Sequence, residues 1–342
     1  MGISYLSWSY MDIIELLFTV IMMFLLMIPG FILKKTGLVG DGFGKGVSNL
    51  VLYIAQPVLV FMAYVMPFQM ELLLNSLWVL LFSFVAHFVF FGVSMLFFGS
   101  AEDGKRRMLR FATIFSNAAF MGIPLIDAIF PGGPEVLYAS IYNITFNIFL
   151  WTLGVRICTQ NRDIDGDGVC DGAEIRKHDG VSPLLVLYHP VTIAAALGLI
   201  MFLTPLSDYF SAGNVIYDTL VYIKGLVAPL SMLVIGIRLA DVNLKGFFTD
   251  KHFYLFALLR HLALPAAVVG IMRLMALFLP ISADVITVVA ILASTPAASS
   301  AVMFAERYDC DALYTSKVVA VSTILSIATM PLVIFLAGLG LA

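Results

Sequence analysis

Charge is scarce in this chain. Asp, Glu, Lys and Arg make up 12% of its 342 residues, against roughly 25% in soluble domains. With 61% hydrophobic residues and a mean hydropathy of +1.01, the chain reads as an all-α polytopic membrane protein. Cysteine is nearly absent too. Cys158, Cys170 and Cys310 are scattered without a C-x-x-C pair, and imply neither a disulfide framework nor a zinc site. No basic stripe suits nucleic acid, and a net charge of −3 points to no partner. Hydrolytic motifs are missing as well. There is no G-x-S-x-G, no H-E-x-x-H and no facing pair of aspartates, so an intramembrane enzyme would lack its machinery.

Long apolar runs are what the chain does have. A helical span needs about 20 apolar residues. Ten stretches qualify: 11–33, 45–66, 72–98, 108–130, 136–158, 184–203, 215–237, 254–279, 284–305 and 312–338. The first lacks a basic leader and a small-residue cleavage site, and is read as a helix rather than a signal peptide. With the N-terminus outside, the inner loops and their flanks collect Lys34, Lys35, Lys45, Lys105, Arg106, Arg107, Arg110, Arg156, Arg162, Arg176, Lys177, Arg238, Lys245, Lys251, Arg307 and Lys317. The outer loops hold no Lys or Arg, which predicts both termini outside a cytoplasmic membrane.

The chain is organised around Ser116-Asn117-Ala118-Ala119-Phe120-Met121-Gly122-Ile123-Pro124-Leu125. Asparagine, glycine and proline stand here in the middle of the fourth span. Proline has no N–H and disfavours helix in the residue before it, so a break is expected near Ile123. Unpaired backbone groups at membrane depth need cover from protein or a watery cavity. Carriers use such breaks for binding, because the positive N-terminal end of a half-helix attracts an anion.

A shift of 172 residues lays Pro57 on Pro229, Pro124 on Pro296 and Tyr142 on Tyr314, and carries the first five spans onto the second five. Five is odd, so the copies enter the membrane from opposite faces, which predicts an inverted repeat. Residues 1–158 and 184–342 would be the copies, joined by a cytosolic loop over 159–183. The partner of the opening stretch is Ser294-Thr295-Pro296-Ala297-Ala298-Ser299-Ser300. Two such helices would cross near the midplane and converge on one site; ordinary proline kinks are the plainer alternative.

These residues resemble the auxin efflux carrier family, which includes plant auxin exporters and bacterial malate or malonate permeases. Phe115–Leu125, Tyr142-Asn143 and Trp151–Gly154 carry the first block of the resemblance. Ala228–Met232 with Ile235-Gly236 carry the second. The third comprises Ala293–Pro296, Arg307-Tyr308-Asp309 and Ser326–Leu332. The resemblance implies an elevator-like carrier, possessing a scaffold of helices 1, 2, 6 and 7 and a moving bundle of helices 3–5 and 8–10. Helices 4 and 9 would cross at the substrate. Asn117 matches the family's crossover asparagine, and Asn143 or Asn147 its helix-5 asparagine. Ser294 and Thr295 stand near its ninth-helix polar position. A homodimer is implied, and the long cytosolic domain of eukaryotic members is absent.

The candidate substrate contacts are therefore Asn117, Gly122, Pro124, Asn143, Asn147, Ser294, Thr295 and Pro296. Gln56-Pro57 and Ala228-Pro229 occupy equivalent points of helices 2 and 7 and would kink helices lining the cavity; Gln56 is counted as a contact. Lys224, near mid-span, is read as a counter-charge for an anion, or as the partner of an acid such as Asp218. Asp127 is the candidate for coupling to H⁺ or Na⁺. His87, Arg260 and His261 are read as packing or anchoring residues. In the 5–6 loop, Asp163, Asp165, Asp167, Val169, Asp171 and Glu174 satisfy the D-x-D-x-D-G-x5-E pattern of a Ca²⁺ loop; a solvated acidic linker is the alternative. The expected protein is a secondary transporter of a small organic anion, a mono- or dicarboxylate, that requires no cofactor. A channel or receptor of the same fold is the other reading.

Overall fold

A computed structural model describes residues 10–159, 188–244 and 247–338. The acidic 163–174 segment, with its candidate Ca²⁺ ligands, lies outside the described residues. Seven described helices are long and apolar enough to cross a membrane. They are α1 (Leu17–Lys35), α2 (Phe43–Ala63), α3 (Met70–Leu96), α6 (Glu135–Thr159), α8 (Val215–Asp241), α9 (Lys251–Ala276) and α12 (Ala312–Ala337). Three shorter apolar helices are α5 (Ala118–Ile129), α7 (Pro190–Leu203) and α10 (Ala283–Ser294). Two further helices, α4 (Asp103–Ile114) and α11 (Ser300–Arg307), precede α5 and follow α10.

Proline sets the local shape of three of these helices. Wide π-type turns span Val51–Ala55, Ala118–Gly122 and Leu259–Ala263, and each ends two residues before a proline: Pro57, Pro124 and Pro265. A proline ring crowds the carbonyl one turn back and offers it no N–H, and a widened turn relieves both problems. Gln56 completes the repair at Pro124. Its Nε2 donates to the Ala119 carbonyl at 3.1 Å, a carbonyl that Pro124 has no N–H to serve.

The fourth span breaks, but not near Ile123. Helix α4 ends at Ile114, Phe115 is extended, and α5 starts at Ala118, so the interruption covers Phe115–Asn117. Pro124 lies inside α5, where the wide turn absorbs it. The ninth span breaks where expected, between Ser294 and Ser300, with Pro296 within the gap. Pro124 and Pro296, which the 172-residue shift pairs, thus hold different places in their segments.

Glycine governs the closest helix contact. A Cβ on Gly30 of α1 would lie 2.1 Å from the Leu233 carbonyl oxygen, and one on Gly236 of α8 would lie 1.9 Å from that of Met27. Helices α1 and α8 therefore touch backbone to backbone, as small residues allow in membranes. Helix α2 packs on α7 and α8, α3 on α4 and α6, and α10 on α3, α6, α9 and α12. Helix α5 reaches both α1 and α8.

Candidate functional site

The two breaks meet. Ser116 and Ala297 form an isolated antiparallel bridge. The Asn117 N–H donates to the Pro296 carbonyl at 2.8 Å, and the Ala298 N–H donates to the Phe115 carbonyl at 2.9 Å. A buried backbone group left without a partner costs about 1–3 kcal/mol. Each gap supplies the partner that the other lacks, which is why two interruptions at this depth are stable together. Gly122 makes the approach close: a Cβ there would lie 2.6 Å from Leu292 Cδ2 and 3.3 Å from Thr295 Cγ2.

The ninth-span gap is held from outside by α9 and α12. Arg260 Nη2 donates to the Thr295 carbonyl at 2.7 Å. The Ala297 N–H donates to Ser322 Oγ at 2.9 Å, and His261 Nε2 lies 2.9 Å from the same oxygen. His261 Nδ1 is 3.1 Å from Thr329 Oγ1, whose hydroxyl donates to the Leu325 carbonyl. This pattern fits a neutral ring protonated on Nδ1, accepting from Ser322 and donating to Thr329.

Arg260 is 0% exposed and lies over the Phe90 ring, 5.4 Å from its centroid. Among the described residues its ionisable neighbours include Tyr142, His87 and His261, and no carboxylate pairs with it. Taking an unpaired cation out of water costs several kcal/mol. Three contributions oppose that cost: a charge-assisted hydrogen bond of about 1.5–3 kcal/mol, the negative C-terminal end of α10, up to ~2 kcal/mol, and the ring face, ~2 kcal/mol when desolvated. The guanidinium is thus held without an acid. From sequence Arg260 reads as a packing or anchoring residue; a permanent charge at membrane depth, five residues before a helix-distorting proline, is the signal that points further.

Several polar atoms at the crossing have no partner among the described residues. Asn117 is 3% exposed with its Nδ2 unbonded, and Asn143 is 2% exposed with its Oδ1 unbonded. Arg260 Nε and Nη1 and Gln56 Oε1 are likewise buried and unbonded. Tyr142, next in sequence to Asn143, places its hydroxyl beside Ser116. The first bonds of α5 run from the Met121 and Gly122 N–H groups to the Asn117 carbonyl, which leaves the N–H groups of Ala118, Ala119 and Phe120 outside the helix's own ladder.

Other predicted residues are turned inward on their own helices. Ser294 Oγ donates to the Ile291 carbonyl, Thr295 Oγ1 to that of Leu292, and Asn147 Nδ2 to that of Asn143. His87 is packed, its ring stacked on Phe149 at 5.0 Å and its Nδ1 2.7 Å from the Ser83 carbonyl. Lys224 and Asp127 are found together, 2.9 Å apart; Asp218 instead accepts from the Gly213 N–H.

A polar cleft of about 500 Å³ lies elsewhere, lined by Lys105, Asp250, His252, Asp311 and Lys317 among others. Its charges are largely paired within the protein, Lys105 with Glu102 at 3.0 Å and His252 with Asp250 at 3.0 Å. The crossing, where buried donors lack partners, is therefore the candidate site.

An all-helical chain with this many apolar spans, and with polar groups gathered at interruptions inside them, is a polytopic membrane protein. A profile of the family described as membrane transport protein matches residues 15–334, and the chain belongs to that family, the one its Phe115–Leu125 block resembles. It is also 26% identical over 328 residues to a protein of Methanothermobacter thermautotrophicus described as an uncharacterized transporter, an alignment covering 92% of this chain and 96% of that one.

Proposed function

We propose that this transporter is a secondary carrier for a small organic anion, a mono- or dicarboxylate, bound where the fourth and ninth spans cross. The observation that carries the reading is Asn117: a buried amide with an unbonded Nδ2, at the start of α5, where two broken helices bridge. A carboxylate accepts from amide N–H groups and from the backbone N–H groups of a helix N-terminus. Arg260, a fully buried cation at the crossing, supports a negatively charged guest.

The architecture we propose is a ten-span inverted repeat. Spans 1, 2, 6 and 7 form the scaffold, and spans 3–5 and 8–10 form a bundle that carries the substrate past it, with both termini outside the cytoplasmic membrane. The Gly30–Gly236 contact supports a rigid scaffold. A membrane potential, negative inside, pushes an anion outward by about 2.3 kcal/mol per charge per 100 mV, so an uncoupled carrier exports.

Counterflow of radiolabelled malonate in proteoliposomes tests the function. Saturable exchange that falls at least about tenfold in Asn117→Ala is expected, a loss of ~1.4 kcal/mol of binding. Flux that never saturates would indicate a channel, and exchange unchanged in the variant would remove the crossing as the site.

A further inference from the structure

The C-terminal end of a half-helix presents carbonyls, and in carriers with broken helices such ends bind the coupling Na⁺ or proton. In this protein the end of α10 is already engaged. Thr295, the residue that caps it, gives its carbonyl to Arg260 Nη2 at 2.7 Å. The guanidinium is fully buried, and among the described residues no carboxylate pairs with it and Nε and Nη1 have no partner.

We infer that Arg260 is the resident cation of the crossing: it occupies the position a coupling Na⁺ would take at the end of α10, so anion binding needs no metal ion. Three features argue for this assignment. The carbonyl it holds belongs to the break itself, rather than to an intact helix. The wide turn at Leu259–Ala263 and Pro265 fix the segment that projects it. His261, the next residue, secures the same gap through Ser322, so α9 fastens both sides of Pro296. A tethered cation cannot dissociate between cycles. It therefore supplies positive charge to the site on both sides of the membrane, and Na⁺ would add only repulsion. The statement about anions rests on the crossing being the ligand site; the statement about the cation position does not.

The test uses purified full-length protein, with its unfolding temperature read in NaCl and in choline chloride at equal ionic strength. Wild type is expected to unfold at the same temperature in both. Arg260→Ala, which vacates the position, is expected to unfold earlier in choline and to regain several degrees when Na⁺ or ethylguanidinium is added. A Na⁺-specific rise in wild type, or an alanine variant indifferent to both cations, would overturn the assignment. If the alanine variant does not fold, Arg260→Lys decides: it keeps a positive charge and is expected to fold and to ignore Na⁺, whereas a lysine variant as unstable as alanine overturns the proposal. Malonate supplies the second arm. Its stabilisation of wild type is expected to be equal in the two salts, and a shift that requires Na⁺ refutes the inference. Absence of any malonate shift, with Arg260→Ala still answering cations, would retire the anion reading and leave Arg260 as the resident cation.

Discussion

Lys224 Nζ lies 2.9 Å from Asp127 Oδ1, joining α8 to α5 through side chains only 25% and 20% exposed. From sequence Lys224 reads as a counter-charge for the anion or as the partner of an acid such as Asp218, and Asp127 as a coupling acid. Paired, they neutralise each other at a contact between a proposed scaffold helix and a proposed moving one. Removing one partner from a half-buried pair should cost about 1–2 kcal/mol, between the exposed and buried cases. Asp127→Asn and Lys224→Gln are each expected to unfold earlier and to exchange malonate several-fold faster, while the swapped pair Asp127→Lys with Lys224→Asp recovers part of the stability. Unchanged stability and exchange in both single variants would show that the contact restrains nothing.

The Gly30–Gly236 contact leaves no room for a methyl group. The clash would be with backbone, which cannot rotate away as a side chain can. Gly236→Ala should destabilise by ~3 kcal/mol, the upper part of the range for overpacking, and Gly30→Ala by a similar amount. Gly46→Ala in α2, where a Cβ meets nothing within 4 Å, is the control and should be neutral. Denaturation in mild detergent reads all three.

Gln56, which from sequence counts as a substrate contact, also acts as a cap. Its amide serves the Ala119 carbonyl next to the break. Gln56→Leu, similar in volume, leaves that carbonyl unserved and should cost about 1–3 kcal/mol. Gln56→Glu keeps the length but loses the donor, and should be no better. Thermal unfolding of the three proteins checks this.

How much of this was legible in the sequence depended on distance along the chain. Composition and run length carried the membrane class, and seven of the ten expected spans are described helices long and apolar enough to cross, because hydrophobicity is a property of each segment by itself. The ninth-span gap was legible too, since Ser294-Thr295-Pro296 carries its own breaker. The fourth-span gap was misplaced. Pro124 signalled a break at Ile123, but a wide turn and the Gln56 amide, distant in sequence, absorb the proline. Phe115 and Asn117 open instead because Ala298 and Pro296 offer their backbone partners. Arg260 was missed for the same reason: its carbonyl is on Thr295, and no spacing rule links the two.

Asp250 gives a prediction that involves pH. It caps α9, its Oδ1 accepting from the His252 N–H at 2.9 Å and lying 3.0 Å from His252 Nδ1. Burial raises its pKa, but the hydrogen bond from the His252 backbone, the Tyr314 hydroxyl nearby and the His252 ring outweigh that and hold it below the usual carboxylate value. A depressed folded pKa means that the stabilisation is present above the ordinary pKa of 3.8 and lost as pH falls through the lower folded value. Asp250→Ala should lose about 1 kcal/mol at neutral pH, as other N-caps do. The difference from wild type should close below the carboxylate range; a gap that persists there would assign the loss to packing.

The central claim is that the crossing, rather than the polar cleft beside Lys105, receives the substrate. The most direct measurement is the malonate-induced shift in unfolding temperature of wild type, Asn117→Ala and Lys105→Ala. A shift kept in Lys105→Ala and abolished in Asn117→Ala is the predicted result. A shift that survives Asn117→Ala and disappears with Lys105→Ala would place the ligand in the cleft and contradict the account.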